Sequence, residues 1–115
     1  MAAVKLDLTI EKGASFRKTF IWKDSDKVVI DLTNYTARMQ IRKNVNSTSI
    51  IQELTTENGG ISITALEGKI ELYISDTDTS AMDFNKGVYD IELLVDTEIV
   101  KFSRGNVYII EEITR

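Results

Sequence analysis

A chain of 115 residues with a formal net charge of −4 and no His, Cys or Pro reads as one domain, 1–115, long enough to bury a core without disulfides or metals. Without Cys there is no disulfide, thiolate nucleophile or Cys-bound zinc, and without His the usual general base and the commonest metal ligand are lost together. Nucleic-acid affinity rests on Lys and Arg neutralising phosphates, so an acidic chain is a poor candidate for it; no stretch has transmembrane length or a signal-peptide core, which predicts a soluble protein with no membrane partner.

In chain order, Val4, Leu6, Leu8 and Ile10 alternate with Lys5, Asp7, Thr9 and Glu11, which predicts a first strand. Lys12-Gly13-Ala14 breaks it. Phe16, Phe20 and Trp22 share a parity across Ser15 to Lys23, with Lys18 the exception, so this second strand carries bulky core residues. Asp24-Ser25-Asp26-Lys27 is a polar turn, and Val28 to Ile30 a short strand. Asp31-Leu32-Thr33-Asn34 is a corner built from side chains that bond local backbone. From there Tyr35, Ala37, Met39 and Ile41 fall on one side of a long half-buried strand, and Thr36, Arg38, Gln40 and Arg42 on the other.

Asn44 to Ser49 is a loop, Ile50 to Leu54 a strand, and Glu57-Asn58-Gly59-Gly60 a turn that tolerates positive φ. Ile61 and Ile63 mark a short strand, Leu66-Glu67-Gly68 turns again, and Ile70, Leu72 and Ile74 mark the next strand. Ser75 to Met82 is the one predicted helical turn: Ser75 caps it, with Asp78 three residues on. Tyr89, Ile91, Leu93 and Val95 face inward on a strand entered through Lys86-Gly87. Asp96-Thr97 makes a hairpin, and Val100 and Phe102 begin the return. Gly105-Asn106 is read as a bulge or bend in it. Many short strands bounded by turns predict an all-β antiparallel sandwich with at most one short helical turn. Its expected core includes Phe16, Phe20, Trp22, Tyr35, Met39, Ile41, Leu72, Tyr89, Ile91, Leu93 and Phe102.

Few constellations suggest chemistry. Asp76, Asp78 and Asp83 open like a calcium loop, but Ala81 stands where the sharp-turn Gly belongs and Gly87 where the bidentate Glu belongs; Asp24 and Asp26 fail the same test. No metal or cofactor is expected. No G-x-S-x-G elbow or phosphate-cradling loop occurs, so the chain is not expected to be an enzyme. Arg38, Arg42 and Lys43 form the only basic concentration. Arg38 and Arg42 share a strand face, about 13 Å apart at ~3.3 Å per residue. That face reads as solvated or as a docking surface for an acidic partner, a role for which Arg is suited by its planar, bidentate contacts. In the last strand Val107, Tyr108, Ile109 and Ile110 are consecutive apolar residues. Either that strand is buried on both sides, or its Tyr108 and Ile110 side meets another chain. The first strand is a candidate free sheet edge.

Three fragments in order, EKGASFRKTFIWKDSD (Glu11 to Asp26), IDLTNYTARMQIR (Ile30 to Arg42) and GVYDIELL (Gly87 to Leu94) with a Gly105-Asn106-Val107 ending, resemble the small β-sandwich virion proteins of tailed bacteriophages. These include collar proteins that attach long tail fibres and the immunoglobulin-like N-terminal domains of baseplate proteins that carry receptor-binding proteins. The usual Gly of the corner is Asn34 here, which also accepts positive φ, and the usual Pro before it is absent. The resemblance implies an immunoglobulin-like sandwich and a non-enzymatic, multi-copy adaptor or collar of the virion, made in the bacterial host cytoplasm. Its implied partners are other copies of itself in a ring, in a multiple of three, and other tail, baseplate or fibre proteins. Expected contact residues are Thr36, Arg38, Gln40, Arg42, Tyr108 and Ile110. The alternatives are a capsid decoration protein and a carbohydrate-binding module, the latter requiring exposed Trp22 and Tyr rings.

Overall fold

The computed structural model describes residues 4–111. Nine strands and one short helix follow in the order β1 (Val4–Lys5), β2 (Leu8–Glu11), β3 (Phe16–Ile21), β4 (Thr36–Arg42), β5 (Gln52–Thr55), β6 (Ile61–Thr64), β7 (Lys69–Ile74), α1 (Asp76–Ser80), β8 (Lys86–Val95) and β9 (Glu98–Ile110). They form two sheets. The larger runs β1–β9–β8–β4–β5, with β2 also on β9, and the smaller runs β3–β7–β6. The order of the central strands is that of an immunoglobulin variable-type sandwich, with β3, β6 and β7 as one layer and β4, β5, β8 and β9 in the other.

Period-two alternation builds the core. Ala37, Met39 and Ile41 of β4, Tyr89, Ile91 and Leu93 of β8, and Ile70, Leu72 and Ile74 of β7 are all buried and face one another across the sandwich. Phe16, Phe20, Trp22 and Tyr35, expected in the core, pack against it but stay half-buried. Trp22 stacks edge-on against Tyr35 and Phe102, and Phe20 against Phe102, with centroids 5.5 to 6.4 Å apart, the separation favoured by ring quadrupoles. Lys18 breaks the apolar parity by laying its ammonium over the Phe20 ring at 5.9 Å.

Several expectations are corrected. Pairing is not antiparallel throughout: β1 and β2 run parallel to β9. The predicted first strand is two, interrupted at Leu6-Asp7. There the Asp7 carboxylate accepts the Asn106 N–H at 2.9 Å, and the Leu6 N–H donates to the Arg104 carbonyl at 2.9 Å. Gly105-Asn106 does not break β9, which continues to Ile110. A Cβ on Gly105 would overlap the Leu6 carbonyl, so Gly is required there by a crossing chain. The bulge lies earlier: Ile91 pairs with Ser103 and Glu92 with Lys101, leaving Phe102 as the extra residue. It explains why the inward parity of β9 switches from Val100 and Phe102 to Val107 and Ile109. Val28 to Ile30 is no strand; only Val29 makes a bridge, to Lys23. The strand predicted from Ile50 starts at Gln52.

The corner and the helix behave as their residues dictate. Asn34 has φ 69°, and the Asp31 carboxylate accepts from both the N–H and the hydroxyl of Thr33, which holds its pKa below the ordinary carboxylate value. Ser75 caps α1 by accepting the Asp78 N–H at 3.2 Å. A single 3-10 turn, Ala65–Glu67, sits where the Leu66-Glu67-Gly68 turn was expected. Thr79, fully buried, accepts from the Gly13 N–H at 3.1 Å and donates to the Ala14 carbonyl at 2.8 Å, so it locks the β2–β3 turn onto α1.

Candidate functional site

The outward face of the larger sheet collects the contact residues expected from the sequence. Thr36, Arg38, Gln40 and Arg42 project from β4, and Tyr108 and Ile110 from β9 two strands away. Tyr108 and Ile110 are 38% and 49% exposed, while Val107 and Ile109 cover the core side. The consecutive apolar residues of β9 are thus split between an inner and an outer face, and among the described residues the outer one is left exposed.

Register determines what meets on this face. Arg38 lies opposite Glu92, and Glu92 opposite Lys101. Arg38 Nε donates to Glu92 Oε1 at 2.7 Å, the Lys101 ammonium is hydrogen-bonded to the other Glu92 oxygen, and Lys101 also reaches Asp90 at 3.7 Å. The Lys101 contact, followed by that of Arg38, holds the Glu92 pKa below the ordinary carboxylate value, and Glu92 in turn raises that of Lys101. This part of the face neutralises itself.

The neighbouring part does not. A shallow depression of about 700 Å³ runs between the β4–β5 loop and the crossing of β1 over β9. Lys5, Arg42, Val45, Val88, Arg104 and Gly105 line it, and it reaches Arg38, Asp90 and Glu92 of the self-neutralising part. Among the described residues, Lys5, Arg42 and Arg104 make no ion pair. Arg104 stands opposite Asp90 in the register, but the Asp90 carboxylate is engaged by Lys101. Arg42 is oriented by neutral acceptors: its guanidinium donates to the Ser47 carbonyl and to Gln40 Oε1, each at 2.8 Å, and Gln40 donates on to Glu53 at 2.6 Å. The loop it holds is tightened by Asn44, whose side chain accepts the Asn46 N–H at 3.0 Å. That loop carries Val45, 82% exposed, out over the depression. With Lys5, Arg38, Arg42 and Arg104 set against the carboxylates of Asp90 and Glu92, the lining is net positive on an acidic protein, which favours an anionic protein surface as its partner.

Sequence reasoning placed the β4 and β9 members of this face but missed Lys5, Val88 and Arg104. Their convergence depends on strand pairing, and the only local signal was the polar parity of each strand. Of the aspartates considered for calcium, Asp76 accepts the Thr77 N–H at 2.9 Å and Asp78 accepts from the Gln52 side chain at 3.1 Å. Trp22, required to be exposed for sugar stacking, is half-buried among Tyr35 and Phe102. Beneath the depression Tyr89 donates to the Leu6 carbonyl at 2.6 Å. Its oxygen lies 3.0 Å from the Ser103 hydroxyl, which therefore donates to it. Burial raises the Tyr89 pKa. No family model matches the chain, and no curated protein matches it.

Proposed function

We propose that this chain is a non-enzymatic docking module of a tailed-phage virion, a multi-copy adaptor or collar of the tail or baseplate. In this reading, the outer face of the larger sheet seats against an acidic surface of a neighbouring chain. The observation that carries the docking face is the depression lined in part by Lys5, Arg42 and Arg104, three cations with no carboxylate partner among the described residues. Exposed cations cost little while solvated. Facing opposite charge across an interface they speed association and select the partner, and Arg adds directional, bidentate contact. Tyr108 and Ile110 extend the same face with apolar area, the composition expected of a contact patch.

The place in a virion rests on the resemblance of the Glu11 to Asp26, Ile30 to Arg42 and Gly87 to Val107 fragments to phage sandwich proteins. In such particles a repeated modest interface closes a ring, so each copy needs only a standard-sized contact. The test is to make phage carrying Arg38→Glu with Arg42→Glu. The expected result is particles that lack the chain, or that retain it without fibres or receptor-binding proteins. Normal particles with everything attached would exclude this face, and absence of the chain from wild-type virions would overturn the virion role.

A further inference from the structure

A second surface of the molecule carries the charge opposite to that of the depression. It lies at the end of the sandwich where the β3–β4 connection, the 3-10 turn and the β8–β9 hairpin come together. The Trp22 backbone N–H donates to the Gly68 carbonyl at 2.8 Å and the Leu32 backbone N–H to the Ala65 carbonyl at 3.0 Å, which fixes the first two to each other. The pairing of Thr36 with Leu94 brings the Asp96-Thr97 turn to the same end. This end is apolar at its tip: Leu66 is 80% exposed, Val28 59% and Ile21 55%. It is acidic around the tip, where the exposed Asp24, Asp26, Asp31, Glu67, Asp96 and Glu98 outnumber Lys23, Lys27 and the half-buried Lys69, which stands opposite Ile21. The depression has the opposite character: Val45 and Val88 lie in its lining, and its cations outnumber its carboxylates, Asp90 and Glu92, with Lys5, Arg42 and Arg104 in no ion pair among the described residues.

We propose that the occupant of the depression is the acidic, Leu66-tipped end of a second copy of this chain. The proposal rests on the docking reading above and names the partner of that face. The two surfaces do not overlap on one molecule, so the contact is heterologous: each copy offers its end to one neighbour and its face to another. Repetition of such a contact generates a ring if the rotation closes and an open filament if it does not. Leu66 on a tight turn supplies a protruding apolar group for Val45 and Val88, and the flanking carboxylates meet the guanidinium groups of the lining. Charge complementarity of this kind fixes register and suppresses face-to-face or end-to-end pairing, where like charges oppose.

Sedimentation velocity on the full chain tests this. Wild type is expected to associate with rising concentration at about 50 mM salt and much less at about 300 mM, because these exposed charges are screened. Two charge-reversed variants, Arg42→Glu with Arg104→Glu on the face and Asp24→Lys with Glu67→Lys at the end, are each expected to weaken association at least about tenfold when alone. Mixed, they regain it, since the acidic end of the first fits the basic face of the second. Leu66→Ser, with no change of charge, weakens association of the otherwise wild-type chain. Circular dichroism melts show whether each variant is folded, and all five positions are exposed or at the surface of the sheet. Wild type that stays monomeric at every concentration and salt overturns the proposal, as does association that the variants leave intact or that mixing fails to restore. A monomeric wild type whose Arg38→Glu, Arg42→Glu variant is nevertheless lost from particles would leave the docking face standing, with another virion protein as its occupant.

Discussion

The two faces of β4, β8 and β9 come from the same residues read alternately, yet they follow different rules. On the inner face Met39, Ile41, Ile91 and Leu93 are at most a fraction of a per cent exposed, and their role is set by burial alone. On the outer face Arg38, Gln40, Arg42, Asp90 and Glu92 are defined by what stands opposite them. Arg38 is neutralised because the register gives it Glu92, while Arg42, two pairs further along, meets Val88 and keeps its charge. The inner face holds the molecule together, and the outer face is free to be specific. Substitutions inside should move stability, and substitutions outside should move association while leaving stability nearly unchanged.

The largest effect should come from the inner face. Ile91→Ala, in a site with no exposure, is expected to cost about 4 kcal/mol by lost transfer energy and a residual cavity, seen as a lower urea midpoint at unchanged slope. A midpoint within error of wild type would show that the β8 parity is misread. Gly105→Ala comes next. It probes the point where the two faces touch the crossing N-terminal segment, because a Cβ there drives the Leu6 carbonyl away and disturbs the β1–β9 pairing. A cost of about 3 kcal/mol is expected, as for overpacking against backbone, together with faster hydrogen exchange at the Leu6 N–H. Unchanged exchange would argue against the crossing.

Tyr89→Phe sharpens the same boundary. It removes the hydroxyl that bonds the Leu6 carbonyl and accepts from Ser103, and should cost about 2 kcal/mol by leaving two polar groups unmatched; Ser103→Ala in the Tyr89→Phe background should then restore part of the loss. Thermal melts of the single and double variants measure this. The smallest effect belongs to the self-neutralised part of the outer face. The Glu92 pKa is lowered in the folded chain, so its contribution is present above its unfolded value, about pH 4.3, and is lost as pH falls through the folded value. Lys101 is raised, so its contribution is present below about pH 10.4 and is lost as pH rises through its folded value. Glu92→Gln should therefore destabilise at neutral pH by less than about 1 kcal/mol, the scale of screened surface pairs, and the difference from wild type should fade in acid. A difference that grows below about pH 4 would have the wrong sign.

The same contrast explains what was legible in the sequence. Burial imposes a period of two on each strand separately, so the core positions of β4, β7 and β8 could be read without knowing any neighbour. Local side-chain chemistry could be read as well: Asn34 at positive φ and Ser75 at the start of α1 are decided within a few residues. Contacts between strands could not be read in this way. The parallel course of β1 and β2 along β9, the bulge at Phe102, and the Leu6 carbonyl over Gly105 depend on segments about a hundred residues apart or on a one-residue shift in pairing. The depression is of that second kind. Its Arg42 was visible as a basic parity on β4, but Lys5 and Arg104 join it only because β1, β9 and β8 lie side by side.

Zero-length cross-linking of intact virions, coupling lysine ammonium groups directly to carboxylates and read by mass spectrometry, tests the docking claim most directly. Lys5, Lys86 and Lys101 lie on the outer face of the larger sheet, whereas Lys18 and Lys69 belong to the smaller sheet. The account predicts links from Lys5, Lys86 or Lys101 to carboxylates of a different polypeptide in the particle, at Asp24, Asp26 or Glu67 if that polypeptide is a second copy. A chain absent from the particles, or intermolecular links confined to Lys18 and Lys69, would contradict it.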